Sequence, residues 1–392
     1  MNTTHRGIIR LLKNAVMGER VQLPDDFMLE EACRIMSNQG VIAMGYQGAI
    51  HGGLPKDMPL MRKLMQLYYQ QMLTSERQMR ALQQLFEAFE ANGIDYMPVK
   101  GCNMKQLYPK PELRSMGDAD ILIRVEQLEQ IAPLMRSMGF SLSLESEHTD
   151  NWSKPELYVE LHKSLVPVED EDYYGYYGTG WHLAQKGQGH RYDLSPEDSF
   201  LFLFTHFARH YRQSGIGCRH VVDLFVFRKA NPCLDEAYIR REMGKLQLLE
   251  FYENMLRLLD VWFLEAEADE ITDLMTAFVF SGGVWGTMEA ELYAHQLRSA
   301  AQKGKGPAAR GAFFRALFPP YTTIRNRYPI LRRFPVLLPV MWVVRWFDVL
   351  LFAPKKMKKK LRILKGMDEN QILTHQNALR AVGLYENGIE NG

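Results

Sequence analysis

The segment Asp118-Ala119-Asp120-Ile121-Leu122-Ile123 constrains this chain more than any other. Two acids one residue apart, running straight into three aliphatics, predict the start of a buried strand. Strand alternation puts Asp118 and Asp120 on one face and Ala119 on the other. Carboxylates that close repel each other, and burial makes their charge costly unless something positive lies between them. A hard divalent cation with oxygen ligands and phosphate partners is the usual answer. Lys100-Gly101 lies upstream, across a short predicted helix (Cys102 to Leu107) and the loop forced by Pro109 and Pro111. A solvated turn before a strand can carry the same letters; the apolar run after the acids favours the metal reading.

At 392 residues the chain is long enough for two or three domains. A formal net charge of +1 carries no overall nucleic-acid signature, but it hides an asymmetry. Of 47 Lys and Arg, 17 fall between Arg298 and Lys365, against a single acid, Asp348. An acidic body thus carries a basic tail. Cys33, Cys102, Cys218 and Cys233 are scattered without CxxC pairing, which points to a reducing cytoplasm. Met1 to Arg20 lacks an apolar stretch of signal-peptide length, so secretion is not expected.

The spacing predicts four segments. Residues 1–92 read as helical. Leu23-Pro24-Asp25-Asp26 reads as the start of a helix ending near Gly40, and Leu60 to Phe89 recurs in steps of three and four. Ser75 with Gln78 forms a possible capping box inside that run, and Asn92-Gly93 supplies its stop. Residues 93–194 change period. Strands are predicted over Tyr96–Val99, Phe140–Leu144 and Leu157–Leu165, with a helix from Leu128 to Met138. In the last strand, Leu157, Val159 and Leu161 share one face and Tyr158, Glu160 and His162 the other. Glu169 to His190, rich in Tyr, Gly and acid, is expected to be a long loop, of the kind that forms lids. Ser195-Pro196-Glu197-Asp198 opens a helical segment, 195–297, and a basic amphipathic region, 298–392, closes the chain.

Lys-Gly, helix, Tyr-Pro, Arg, Asp-x-Asp, apolar run, helix, Gly-Phe and Glu-Leu-His, spread over Ile94 to His162, resemble the uncharacterised nucleotidyltransferase family of the polymerase-beta-type superfamily. The resemblance implies an α+β chain: a small mixed β-sheet core carrying three carboxylates, with largely helical flanking domains. It implies Asp118, Asp120 and Glu160 as catalytic residues and ligands for Mg²⁺ or Mn²⁺. Lys100-Gly101 stands where relatives in the wider superfamily have Gly-Ser or Gly-Gly. Here Lys100 and Gly101 would meet a phosphate, and Arg114 would contact phosphate or pair with an aspartate. His162 shares Glu160's face and would line the site or hold a loop.

The implied activity is metal-dependent transfer of a nucleoside monophosphate from an NTP, ATP among them, to an unidentified acceptor. A glycosyltransferase using a nucleotide sugar is the enzyme rival; there Asp-x-Asp typically follows an apolar strand rather than preceding one. A degenerate core acting as a binding or regulatory module is the other. His206 and His210 have zinc-compatible spacing but lack the Glu of a helical protease motif, so packing is expected. Arg219, His220 and Asp223 suggest structural pairs on one helix. Pro335 to Pro354 is apolar with Trp342 and Trp346, interrupted by Arg345 and Asp348, and runs into Lys355–Lys360. It is a poor membrane span; residues 335–365 fit an anionic lipid surface at the inner membrane face, a buried helix with a solvated basic end, or a surface facing an RNA acceptor.

Overall fold

The computed structural model describes residues 1–20, 22–283, 292, 317–325, 328, 330–352, 359, 362–363 and 369–384. The expected linker Gln302–Gly311, the end of the helical run near Leu297 and all of Lys355–Lys360 but Lys359 lie outside these. The chain divides into two compact units, Met1–Arg209 with Ile216–Trp285, and His210–Gly215 with Gly286–Gly392.

In the first unit, α1 (Thr3–Met17), α2 (Leu29–Asn38) and α3 (Ile42–His51) precede the long α4 (Pro59–Ala91). The helix expected from Pro24 begins only at Leu29, with Met28 extended before it and no side-chain cap. Asp25 and Asp26 sit instead in a turn, where Asp26 accepts a bond from Thr3 Oγ1 (3.0 Å). α4 is one unbroken helix of 33 residues. Ser75 and Gln78 are not a cap: both are buried, and Gln78 Nε2 donates to the Met116 carbonyl (2.9 Å). Gly93 ends the run with φ +67°, a conformation only glycine adopts cheaply.

The sheet has the order β1 (Tyr96–Pro98), β2 (Ala119–Ile123), β5 (Leu157–His162), β4 (Thr149–Lys154), β3 (Ser141–Glu145). β2 and β5 run parallel and every other neighbouring pair antiparallel. α5 (Gly101–Leu107) links β1 to the loop before β2, and α6 (Leu128–Ser137) follows β2. Alternation gives the sheet two characters. Ala119, Ile121, Ile123, Leu157, Val159 and Leu161 form a core with Leu82, Leu85 and Phe89 of α4 and Ile131 and Met135 of α6. Asp120, Glu160 and His162 fall on the other face. Burying each aliphatic side chain contributes about 1.5–3 kcal/mol, so the helices fix which face is left for polar groups. The architecture is α+β with helical flanks, as expected.

β4 carries no strand signal in the sequence, since Thr149-Asp150-Asn151-Trp152 has no apolar alternation; the hairpin to β5 pairs it regardless. The Tyr-rich segment is not an open lid. α7 (Tyr174–Tyr177) forms within it, Tyr173 and Tyr177 are buried, and Tyr177 Oη shares a hydrogen bond with Thr205 Oγ1 (2.8 Å). A two-stranded hairpin follows, β6 (Gln185–Lys186) with β7 (Tyr192–Asp193). α8 (Pro196–Gln213) starts where predicted: Ser195 Oγ accepts from the Asp198 amide (3.0 Å) and donates to Asp198 Oδ2 (2.7 Å). α9 (Cys218–Ala230), α10 (Glu236–Lys245), α11 (Leu249–Phe263) and α12 (Glu270–Ser281) complete this unit.

In the second unit the helix Leu338–Phe352 is turned by its tryptophans. Trp342 Nε1 donates to the Pro319 carbonyl and Trp346 Nε1 to that of Leu317, each at 2.9 Å, with Phe318 edge-on to both rings.

Candidate active site

β2 and β5 build the site because their parallel register sets Asp120 opposite Glu160 and Leu122 opposite His162. Asp118 lies one residue before β2, on Asp120's side of the alternation. Asp120 is 6% exposed. Its Oδ1 accepts from Lys100 Nζ (2.8 Å) and is bonded to His162 Nε2 (2.8 Å). His162 Nε2 lies 3.7 Å from Glu160 Oε2, and Asn151 Nδ2 of β4 donates weakly to Glu160 Oε1 (3.4 Å). Among the described residues, Asp120, Glu160 and His162 form a group whose donor atoms all lie within 4.8 Å of one another; His206 and His210 do not belong to it.

The charges of the three acids are unequally answered. Burial works to raise the Asp120 carboxyl, but Lys100 and His162 outweigh it and hold it well below the usual range. Glu160 has no such support: burial, then Asp118 and Asp120, push it up to about 7 against a weaker pull from Lys100. Burial and Asp120 likewise raise Asp118, with Lys100 and Arg219 opposing. Burial and the Lys100 charge keep His162 neutral, so its Nε2 proton points at Asp120. The same forces, with His162 and Arg209, drive His148 down to about 3.

Asp118 lies outside the group formed by Asp120, Glu160 and His162. Burial first, and then neighbouring negative charge, lifts Glu160 and Asp118, and an oxygen-ligated divalent cation would relieve that repulsion. His162 fits less well as a ligand. Nε2 faces the acids, and a metal there would move the ring proton to Nδ1, which is buried without a partner. Its geometry suits orienting Asp120.

Lys100 holds φ +48° and ψ −114°, a strained conformation for a residue with a side chain. It places Nζ on Asp120 and over the Phe202 ring at 5.7 Å. Gly101 follows; a Cβ there would come 3.3 Å from Arg114 Nη1, which gives this glycine a packing role. Arg114 does not meet Asp118 or Asp120. Its guanidinium is buried and paired in a fork with Asp223 of α9, Nε to Oδ1 at 2.8 Å and Nη2 to Oδ2 at 3.0 Å. Tyr108 Oη adds a third bond to Asp223 (2.7 Å), and Lys105 Nζ donates to the Arg114 carbonyl (3.0 Å). The phosphate contact expected of Arg114 therefore has no donor fork to make it. The ion pair expected as its alternative has Asp223 as partner.

Asn151 and His148 were missed. Both belong to or adjoin β4, the strand without a hydrophobic signature. The hairpin that turns at Pro155 and Glu156 is what places Asn151 opposite Glu160.

No curated protein and no solved structure matches this chain. One family model, described as an uncharacterised nucleotidyltransferase, matches residues 25–264 and so includes every site residue named above. With an acidic sheet face of this kind inside the matched region, the chain belongs to the uncharacterised nucleotidyltransferase family.

Proposed function

We propose that this protein is a metal-dependent nucleotidyltransferase that moves a nucleoside monophosphate from an NTP to a hydroxyl-bearing acceptor. The observation that supports it most is the register pairing of Asp120 with Glu160 on the face left uncovered by the aliphatic core, with Asp118 adjoining. Asp118, Asp120 and Glu160 would hold Mg²⁺ or Mn²⁺. Such a cation would supply Lewis-acid stabilisation of the charge that develops on the phosphoryl oxygens during transfer.

The protein's own groups have separable roles in this reading. Lys100 and His162 keep Asp120 ionised and aimed. Glu160 either completes the metal site or, outside it, takes the acceptor hydroxyl's proton. Lys100 also offers a positive charge to a phosphate oxygen. The free thiols of Cys33, Cys102, Cys218 and Cys233 support a cytoplasmic setting.

Calorimetric titration with ATP, GTP, CTP and UTP, each with Mg²⁺, tests the reading. We expect at least one to bind, with binding lost in Asp118→Asn and Asp120→Asn; failure of all four to bind would overturn it. A second reading, a regulatory module that binds without transfer, is favoured by the Lys100–Asp120 ion pair, which sets an ammonium on the carboxylate oxygen that a metal ion would need. Nucleotide binding with Mg²⁺-independent affinity would select that module.

A further inference from the structure

The tryptophans of the helix Leu338–Phe352 do not face outward, contrary to what an interfacial tryptophan belt would require. Their indole N–H groups are held by the Leu317 and Pro319 carbonyls, and Tyr328 Oη donates to Asp348 Oδ2 (2.6 Å) on the same inward side. That pinning decides what the helix presents. Val340, Val343, Val344 and Phe347 recur in steps of three and four within the helix, so they line one face, and Val336 lies in the turn just before it. Val336 is 82%, Val340 53% and Phe347 62% exposed. Phe334, at 48%, precedes the helix with the Arg333 guanidinium over its ring. Among the described residues no polar side chain falls on the Val340–Phe347 face. Contiguous apolar surface of this kind on a soluble unit marks an interaction site.

Charge identifies the occupant. The stripe lies within the interval holding 17 Lys and Arg and one acid, and that acid, Asp348, is turned inward to Tyr328. Arg332 and Arg333 precede the helix, and Lys355, Lys356, Lys358, Lys359 and Lys360 follow it. An apolar face within so basic a stretch of sequence matches an anionic bilayer: acyl chains take up the valines while lysines and arginines of the same stretch meet headgroup phosphates. A protein partner would call for no such excess of one sign. The helix has 15 residues, short of the roughly 20 that cross a hydrocarbon core. Among the described residues no helix is long and apolar enough to cross a membrane.

We propose that the second unit docks this protein on anionic lipid, with the Val340–Phe347 face in the headgroup–acyl boundary. The proposal stands on this unit alone and is independent of the nucleotidyl-transfer reading.

Co-sedimentation of the full chain with vesicles of phosphatidylcholine, with and without 30% phosphatidylglycerol (on the order of a bacterial or cytoplasmic-leaflet anionic content), tests it. Binding should need the anionic lipid and weaken steeply between low salt and 0.5 M salt (on the order of a threefold shorter screening length). Combined Val340→Ser, Val343→Ser and Phe347→Ser, all at exposed positions, should reduce it about tenfold or more. Replacing the five lysines of Lys355–Lys360 with Gln should do the same while leaving the helix untouched. Equal binding to neutral vesicles, or unchanged binding in both variants, would overturn the proposal. So would lipid-independent dimerisation abolished by the serine variant, or RNA binding lost in the lysine variant without any vesicle binding.

Discussion

Replacing Glu160 with Gln should make the metal-free protein more stable at pH 8 and at the same time remove its response to Mn²⁺. Glu160's carboxyl is lifted from an ordinary 4.5 to about 7 by burial and by Asp118 and Asp120. The folded state therefore holds this proton more tightly than the unfolded chain does. Stability contributed by Glu160 is complete below pH 4.5, drains away as pH rises towards 7, and stays lost above it. Converted at 1.36 kcal/mol per pKa unit, the shift corresponds to about 3 kcal/mol. The side chain is 26% exposed, and solvent screening brings the figure to about 2 kcal/mol. Gln matches the protonated acid in shape and charge, so Glu160→Gln should recover that amount at pH 8, a melting-point rise of about 4 °C for a unit of this size. At pH 5 the gain should shrink to about 1 °C or less. Wild type should gain stability from millimolar Mn²⁺ at pH 8, and the variant should not. Scanning fluorimetry at both pH values with and without Mn²⁺ reads all four quantities. A lower melting point for the variant at pH 8, or the same change at both pH values, would show that neighbouring groups already satisfy Glu160's charge and would refute the electrostatic argument.

Asp223→Ala should destabilise by about 3–5 kcal/mol, since it leaves the Arg114 guanidinium buried and unpaired; urea denaturation checks this, with Arg114→Met/Asp223→Leu expected to recover much of the loss. Lys100→Gly relieves about 1 kcal/mol or more of backbone strain at φ +48° but strips the buried Asp120 carboxylate of its ammonium, the larger effect, so thermal stability in fluorimetry and nucleotide affinity in calorimetry should both fall. His162→Ala should release the upward-opposed Asp120 carboxyl towards ordinary values, and metal affinity measured by calorimetry should then fall more steeply with acid than in wild type.

The sheet was legible where chemistry and periodicity coincide. Asp118 to Ile123 announced both a strand and its orientation, and Leu157 to His162 split into an aliphatic and a polar face because both faces carry distinct residue types. β4 was not legible, because its pairing is imposed by the hairpin to β5 and not by its own pattern; Asn151 went unnoticed with it. Arg114's partner was unreadable for a different reason. Asp223 is 109 residues away, and no local rule links a loop before a strand to the interior of a helix. Ser75 and Gln78 show the converse error: a motif with capping spacing lay within a helix that packing against the sheet carries straight through. Tyr173 and Tyr177 were assigned to a loop by composition, although aromatic rings of this size fold a segment down whenever a pocket receives them.

The Arg114–Asp223 fork has a practical consequence for anyone cutting this molecule down. An excised fragment ending before α9 would retain the acids, Lys100 and the entire sheet, yet expose a guanidinium built for enclosure and strip Tyr108 of its acceptor. Such a minimal piece should be insoluble or molten, and a failure to bind nucleotide would say nothing about the intact chain. Any useful truncation has to run through Ala230.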